Sequence, residues 1–273
     1  MFEKVYNDIA EKAEKNITVD EGDYYGSDGA LYCGVCNTPK TYFVKAKGKF
    51  EYVPCKHRQD ERATVDHMKM VDELKSACFG DEELLRCRFE NDDGQDEELI
   101  KKAKDYVNNF DVFRDKGLGM LFYGGVGNGK TFASACIANA LIEREIRCYM
   151  TDILALYREW GTNFGNHRED LLKKIKAVPL LIIDDLGVER KSEAMYEMVY
   201  SVINERLKAK KPTVVSTNMT FDEYLSPKGV TDERIYSRLY EMCIPIECKG
   251  ENRRTKKMFD NLELFEAVVN AKK

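Results

Sequence analysis

The chain is 273 residues long, 43% hydrophobic and 33% charged, with a formal net charge of −5. That length and apolar content fit about two domains with real cores, and no 18-residue apolar run exists to cross a membrane as a helix. The mild acidity gives no global sign of a nucleic-acid partner, so any such partner has to be met by a local basic surface.

Residues 1–6 lack the apolar run of a secretory signal. Nine cysteines scattered through a charged chain read as reduced thiols of a cytoplasmic protein, not as a disulfide framework. Residues 2–15 are predicted to form a short amphipathic helix with Phe2, Val5 and Ile9 on one face. An acidic, Gly-bearing loop follows over 18–27. From 31 to 57 the pattern changes to short β-like runs around paired cysteines. Tyr42-Phe43-Val44 and Phe50-Glu51-Tyr52-Val53 read as a hairpin turning at Lys47-Gly48-Lys49. Residues 59–78 are predicted as a charged helix with a thin apolar stripe of Val65, Met68, Val71 and Leu74. The acidic stretch Asn91-Asp92-Asp93-Gly94-Gln95-Asp96-Glu97-Glu98 is read as the end of a linker. The expected organisation is a small domain over 1–78, a linker over 79–97 and a larger domain over 98–273.

The larger domain alternates. A helix is expected over 97–110, then strand 119–123, helix 129–143, strand 146–151, helices near 152–160 and 167–177, strand 179–183, helix 192–209, strand 212–217, helix 231–240 and strand 242–247. Apolar strands alternating with helices imply an α/β fold with a parallel sheet covered on both faces, and functional residues at the carboxyl ends of its strands.

Between the first of these strands and its helix lies Gly124-Gly125-Val126-Gly127-Asn128-Gly129-Lys130-Thr131, the phosphate-binding loop pattern G-x-x-x-x-G-K-[ST]. A triphosphate needs many donors converging in a small volume. Glycines let the backbone N–H groups curl into a nest that opens on a helix N-terminus. Lys130 is the expected partner of the β- and γ-phosphates of ATP, and the Thr131 hydroxyl the expected Mg²⁺ ligand. Downstream, the apolar strand Leu180-Leu181-Ile182-Ile183 ends in Asp184-Asp185. Asp184 is placed to hold the same ion through a water, and Asp185 to polarise the attacking water; both can also be plain strand-end acids. Asn218, at the tip of the strand 213–217, can bond that water or the γ-phosphate, or simply form a turn. Arg234 and Arg238 share a helix face that is either solvated or supplies an arginine to transition-state charge, in the latter case from a neighbouring subunit. Of Arg253 and Arg254, near the start of the last helix, one reaches the γ-phosphate in cis or both form a plain basic surface.

In the small domain, Cys33-Gly34-Val35-Cys36 followed by Cys55-Lys56-His57 supplies four donors suited to tetrahedral Zn²⁺ in a zinc-ribbon-like layout. A segment this poor in aliphatics benefits from a metal staple. The alternatives are buried cysteines beside a surface histidine, or a redox pair. The other cysteines, such as Cys136 and Cys243, sit in apolar runs and read as core.

The loop GGVGNGKT, the strand LLIIDDLG, the STN tip at 216–218, the helix ERIYSRLYEMC and the segment GENRR together resemble the DnaC/DnaI-type bacterial replicative-helicase loaders, AAA+ P-loop ATPases, over about residues 85–258. The transposition helper IstB is similar over the same region. The preceding segment LYCGVCNTPK…VPCKH looks like the zinc-binding part of the loaders of Firmicutes and their phages. The resemblance implies an ATPase, slow and assembly-dependent, that delivers a hexameric replicative DNA helicase onto single-stranded DNA. It implies a homo-oligomer when assembled with the helicase, with Arg238 as arginine finger and Arg254 as sensor-2 arginine. Asp185 stands where many AAA+ proteins have Glu, and His57 where relatives often have Cys. Tyr157, Arg158 and Trp160 are an aromatic-plus-basic group for single-stranded DNA or an ordinary amphipathic helix. Two other functions remain open at this level. One is a transposition helper that assembles on duplex DNA; the other is a nucleotide-gated interaction module with negligible hydrolysis.

Overall fold

A computed structural model describes residues 19–161, 167–187, 192–226 and 230–270. The helix expected over 2–15 lies outside them. The chain divides into two compact units, Met1–Met70 and Val71–Lys273.

The described part of the first unit is built on two small antiparallel hairpins. β1 (Tyr24–Tyr25) pairs with β2 (Leu31–Tyr32), and β3 (Thr41–Val44) with β4 (Lys49–Tyr52). The second hairpin is the one read from the sequence, and Gly48 turns it with φ +65°. Of the first, β1 falls in the stretch read as an acidic loop, because a two-residue strand shows no periodicity. Few side chains are buried here: Ala30, Leu31, Cys33 and Cys55 among the apolar ones, with Lys40 and Thr41 beside them. Polar bonds stand in for a core. The buried Lys40 ammonium bridges Asp20, at 2.8 Å, and Asp23, and Thr41 Oγ1 accepts the Leu31 N–H at 2.8 Å.

Helix α1 (Lys56–Cys78) begins two residues after Pro54, and the boundary between the units falls within it. The segment expected as a linker carries two 3₁₀ turns, Leu84–Arg86 and Phe89–Asn91. The buried Asn139 side chain donates to the Leu84 and Cys87 carbonyls, at 2.8 and 2.9 Å, and so fixes this segment to the second unit.

In the second unit, α2 (Glu97–Asn108) starts at Asp96, whose Oδ1 accepts the Leu99 N–H at 3.1 Å. After α3 (Phe110–Lys116), Gly117 at φ +68° ends the helix and turns the chain into β5 (Gly119–Tyr123). There follow α4 (Lys130–Ile142), β6 (Cys148–Asp152), α5 (Ile153–Gly161), α6 (His167–Ala177), β7 (Leu180–Leu186), α7 (Glu193–Lys208), β8 (Thr213–Thr217), α8 (Phe221–Leu225), α9 (Val230–Met242), β9 (Cys243–Glu247) and α10 (Arg253–Asn270). The five strands β5–β9 form one parallel sheet in the order β6-β7-β8-β5-β9.

The period-2 alternation of the strands divides the core. Met120, Phe122, Leu180, Ile182 and Val214 join one cluster with Leu99, Tyr106, Ile137 and Leu141 of α2 and α4. Leu121, Leu181, Ile183 and Val215 join the other with Leu156, Leu171, Val199 and Leu239 of α5, α6, α7 and α9. A continuous apolar strand buried on both faces is what a helix-covered parallel sheet requires. No helix among the described residues is long and apolar enough to cross a membrane.

Candidate nucleotide site and cysteine cluster

The phosphate loop connects β5 to α4 at the carboxyl edge of the sheet. Its geometry depends on glycine. Gly124, Gly127 and Gly129 have φ of +133°, +79° and +87°, values that L side chains avoid. A Cβ at Gly127 would lie 2.1 Å from Asn252 Oδ1, and one at Gly124 2.6 Å from the Cys248 carbonyl. Asn128 fixes the loop from inside by donating to that same carbonyl at 3.0 Å. Val126, Gly127, Gly129, Lys130, Thr131, Asp185, Asn218, Arg253 and Arg254 line a cleft over the loop.

Lys130 is 5% exposed, and its ammonium donates to the Gly124 and Gly125 carbonyls at 2.9 and 2.5 Å. Burial pushes its pKa down. A desolvated cation held only by neutral carbonyls gains strongly from an entering anion. Thr131 Oγ1 donates to Asp184 Oδ2 at 2.8 Å, and Ser216 Oγ donates to Asp184 Oδ1. Burial raises the Asp184 pKa despite these two bonds, so a nearby cation would stabilise its carboxylate. Hydroxyl and carboxylate oxygens side by side are the hard donors that Mg²⁺ takes; these residues fit Mg·ATP.

Asp185 adopts φ +56°. This left-handed conformation, strained for a residue with a Cβ, coincides with a register shift between β7 and β8 at Ile183/Leu186. Its N–H donates to Ser216 Oγ at 2.9 Å, and Asn218 Nδ2 reaches its carboxylate at 3.4 Å. The bulge turns Asp185 into the cleft while Asp184 stays on the Thr131 side. The sequence reading assigned Asn218 from the STN tip and missed Ser216, which joins both aspartates.

Arg254 lines the cleft and is exposed at the start of α10. Arg253 lines it too, with Nε and Nη2 on the Asp93 carboxylate, both at 2.7 Å. Arg238 is elsewhere. On α9 it donates to Asn204 Oδ1 at 3.0 Å and the Tyr200 hydroxyl at 2.8 Å, with its guanidinium 4.5 Å over the Tyr200 ring. It does not line the cleft of its own chain. Trp160 is buried and Tyr157 half-buried against the α5–α7 core, as an amphipathic helix would place them.

In the first unit the thiols of Cys33, Cys36 and Cys55 lie within 4.8 Å of one another. Zinc–sulfur bonds of about 2.3 Å in a tetrahedron bring sulfurs to similar separations, so three corners fit Zn²⁺. The fourth expected ligand is not with them. The His57 ring, on the first turn of α1, lies 3.3 Å from Glu61 Oε1, one helical turn on; its backbone N–H, not its ring, bonds Cys36. The Thr38 hydroxyl, 3.0 Å away, and that N–H pull the Cys36 thiol down to about 6, whereas burial pushes Cys55 up.

The sequence pattern of IstB-like ATP binding proteins matches residues 57–260. The replicative helicase loader DnaI of Bacillus subtilis is 28% identical over 277 residues, covering 93% of this chain and 84% of DnaI. The replicative helicase loader DnaC of Escherichia coli K12 is 31% identical over 159 residues, covering 56% of this chain and 62% of DnaC. A crystal structure of DnaI superposes with a TM-score of 0.54 at 26% identity, over 66% of this chain and 98% of that one. With a phosphate loop, an acidic β7 and a five-stranded parallel sheet in place, the chain belongs to the family of IstB-like ATP binding proteins.

Proposed function

We propose that this chain is an ATP-dependent loader that delivers a hexameric replicative DNA helicase onto single-stranded DNA. The observation that carries the reading is the pairing of two features in one chain: the Lys130–Thr131–Asp184 constellation, and a similarity to the helicase loader DnaI that runs through the cysteine-bearing unit as well as the ATPase unit.

In this reading Lys130 leaves its loop carbonyls to neutralise the phosphates, and Thr131 and Asp184 hold Mg²⁺. Bound Mg·ATP supplies the free energy that separates the helicase-bound and helicase-free states. Asp185, oriented by Ser216 and Asn218, accepts the proton of the attacking water. Arg254 contacts the γ-phosphate in cis. Arg238, turned away from its own cleft, completes the site of a neighbouring subunit, so hydrolysis is slow until copies assemble. Cys33, Cys36 and Cys55 would hold a structural Zn²⁺, and His57 would supply the fourth donor only by giving up Glu61. The metal-bearing unit docks the helicase.

The match to the IstB-like pattern over 57–260 favours one other reading, a transposition helper that assembles on duplex DNA. Fluorescence titration of the full chain against the replicative helicase, and separately against duplex DNA, decides between them. ATP-dependent helicase binding supports the loader. ATP-dependent duplex binding without affinity for helicase refutes it.

A further inference from the structure

Arg253 is not the arginine that the resemblance assigns as sensor 2, yet it is the one of the two that an ion pair holds in place. Its fork is half used. Nε and Nη2 are taken by Asp93, whereas Nη1 is buried and has no hydrogen-bond partner. A buried donor without an acceptor is costly, and this one lies against the phosphate loop. A Cβ built on Gly129 would come within 2.6 Å of Nη1, and one on Gly250 within 3.1 Å. Two glycines therefore leave room for this guanidinium beside the turn that precedes Lys130. The main chain sets the same approach, since Arg253 N–H donates to the Gly127 carbonyl at 3.1 Å.

Asp93 is itself held. Its Oδ1 accepts the Gln95 N–H at 3.2 Å. Three residues on, Asp96 caps α2 and accepts the Lys249 N–H at 2.8 Å. The acidic segment and the start of α10, 160 residues apart in sequence, are thus fastened to each other over the loop.

We propose that Arg253 is a second cis phosphate ligand, with Asp93 as its positioning residue: the carboxylate fixes two of the guanidinium's nitrogens so that Nη1 donates to the phosphate chain of the nucleotide. The inference rests on the ATP-binding reading of the cleft. It separates the two arginines by role. Arg253, fixed before the ligand arrives, contributes to ground-state binding; Arg254, unrestrained at the rim, contributes to the transition state.

The test titrates ATP with Mg²⁺ into the full chain carrying Arg253→Ala, Arg253→Lys, Asp93→Asn, or Asp93→Asn with Arg253→Ala. The main-chain bond to Gly127 survives in all four. A lost charge-assisted hydrogen bond raises the ATP Kd roughly ten- to hundredfold in Arg253→Ala. Arg253→Lys recovers part of the loss, since it keeps the charge without the fork. Asp93→Asn costs less than Arg253→Ala and adds nothing in its background. The dependence of ATP affinity on salt also becomes shallower in Arg253→Ala, a change that a purely structural role would not produce. Wild-type affinity in Arg253→Ala, with Lys130→Ala unable to bind, overturns the inference and leaves the nucleotide site standing. Tighter ATP binding in Asp93→Asn also overturns it, because the ion pair would then oppose the ligand. Failure of the wild-type chain to bind ATP sinks the underlying reading instead.

Discussion

The two units are stabilised in opposite ways. The large unit buries apolar side chains on both faces of a five-stranded sheet, and its site is added at the strand ends. The small unit buries four apolar side chains among its described residues, two of them cysteines, and relies on a charged Lys40 network and three converging thiols. The same kind of substitution should therefore act differently in each: polar and metal-ligand changes should unfold the small unit, whereas the large one should give way to changes in its apolar core or at a buried polar anchor such as Arg206.

The largest expected effect is at the loop. Lys130→Ala should abolish tight ATP binding while leaving the circular dichroism spectrum unchanged, because the ammonium bonds only loop carbonyls and supports no core. Unchanged affinity in a calorimetric titration would break the comparison at its functional end. Next comes Arg238→Ala, which should leave the ATP Kd nearly intact and depress assembled turnover, by up to roughly 10³–10⁵-fold for an arginine finger and less in a slow ATPase. Mixing inactive Lys130→Ala with inactive Arg238→Ala subunits should restore activity in the presence of helicase or DNA. Co-assembly without recovery would make Arg238 a structural residue of the α7–α9 contact.

The sharpest contrast between the units uses one variant in each. Leu121→Ala, in the centre of β5, should cost the large unit about 2–5 kcal/mol, read as a lower denaturant midpoint for ATP binding. Cys33→Ser with Cys36→Ser should remove zinc and unfold the small unit with ATP binding retained. His57→Ala should keep most of the metal, since the ring is turned to Glu61; elemental analysis of the reduced protein distinguishes these outcomes.

The smallest effect is electrostatic. The Lys40 ammonium, with the backbone N–H groups of Asp20 and Gly34, holds Asp23 at about 2, below its ordinary 3.8. A folded-state pKa below the unfolded one stabilises the fold above about pH 4, and the contribution is lost as the pH falls towards 2. The stability difference between wild type and Asp23→Asn should therefore be full at neutral pH and vanish over that window, measured by acid titration of the small unit's near-ultraviolet dichroism.

Legibility followed the range of the interactions. β5 was predicted at its observed bounds, 119–123, and α4, β7, α7 and β8 within a few residues, because apolar periodicity and a contiguous loop motif are local signals. Thr131 and Asp184 were paired in advance because strand, loop and acidic strand carry a known chemistry at known positions. Arg253 with Asp93 was not legible, since no local pattern joins an arginine to a carboxylate across the chain. Nor was Arg206, since arginine is a residue type that mostly stays exposed. It is instead fully buried, donating to the Ile175, Val178 and Pro212 carbonyls and to Thr213. The acidic 79–97 stretch read as a linker because its partners, Asn139, Lys249 and Arg253, lie far along the chain. His57 fitted the ligand spacing, but the start of α1 turned its ring to the next helical turn.

In the proposed function, nucleotide binding in the large unit controls helicase delivery by the whole chain. The direct measurement is loading of the replicative helicase onto closed circular single-stranded DNA, with ATP and wild-type chain, with Lys130→Ala, and with Cys33→Ser plus Cys36→Ser. Loading is expected only with the wild-type chain and ATP, since Lys130→Ala abolishes nucleotide binding and Cys33→Ser plus Cys36→Ser unfolds the small unit. Equal loading without the chain, or with both variants, would contradict it.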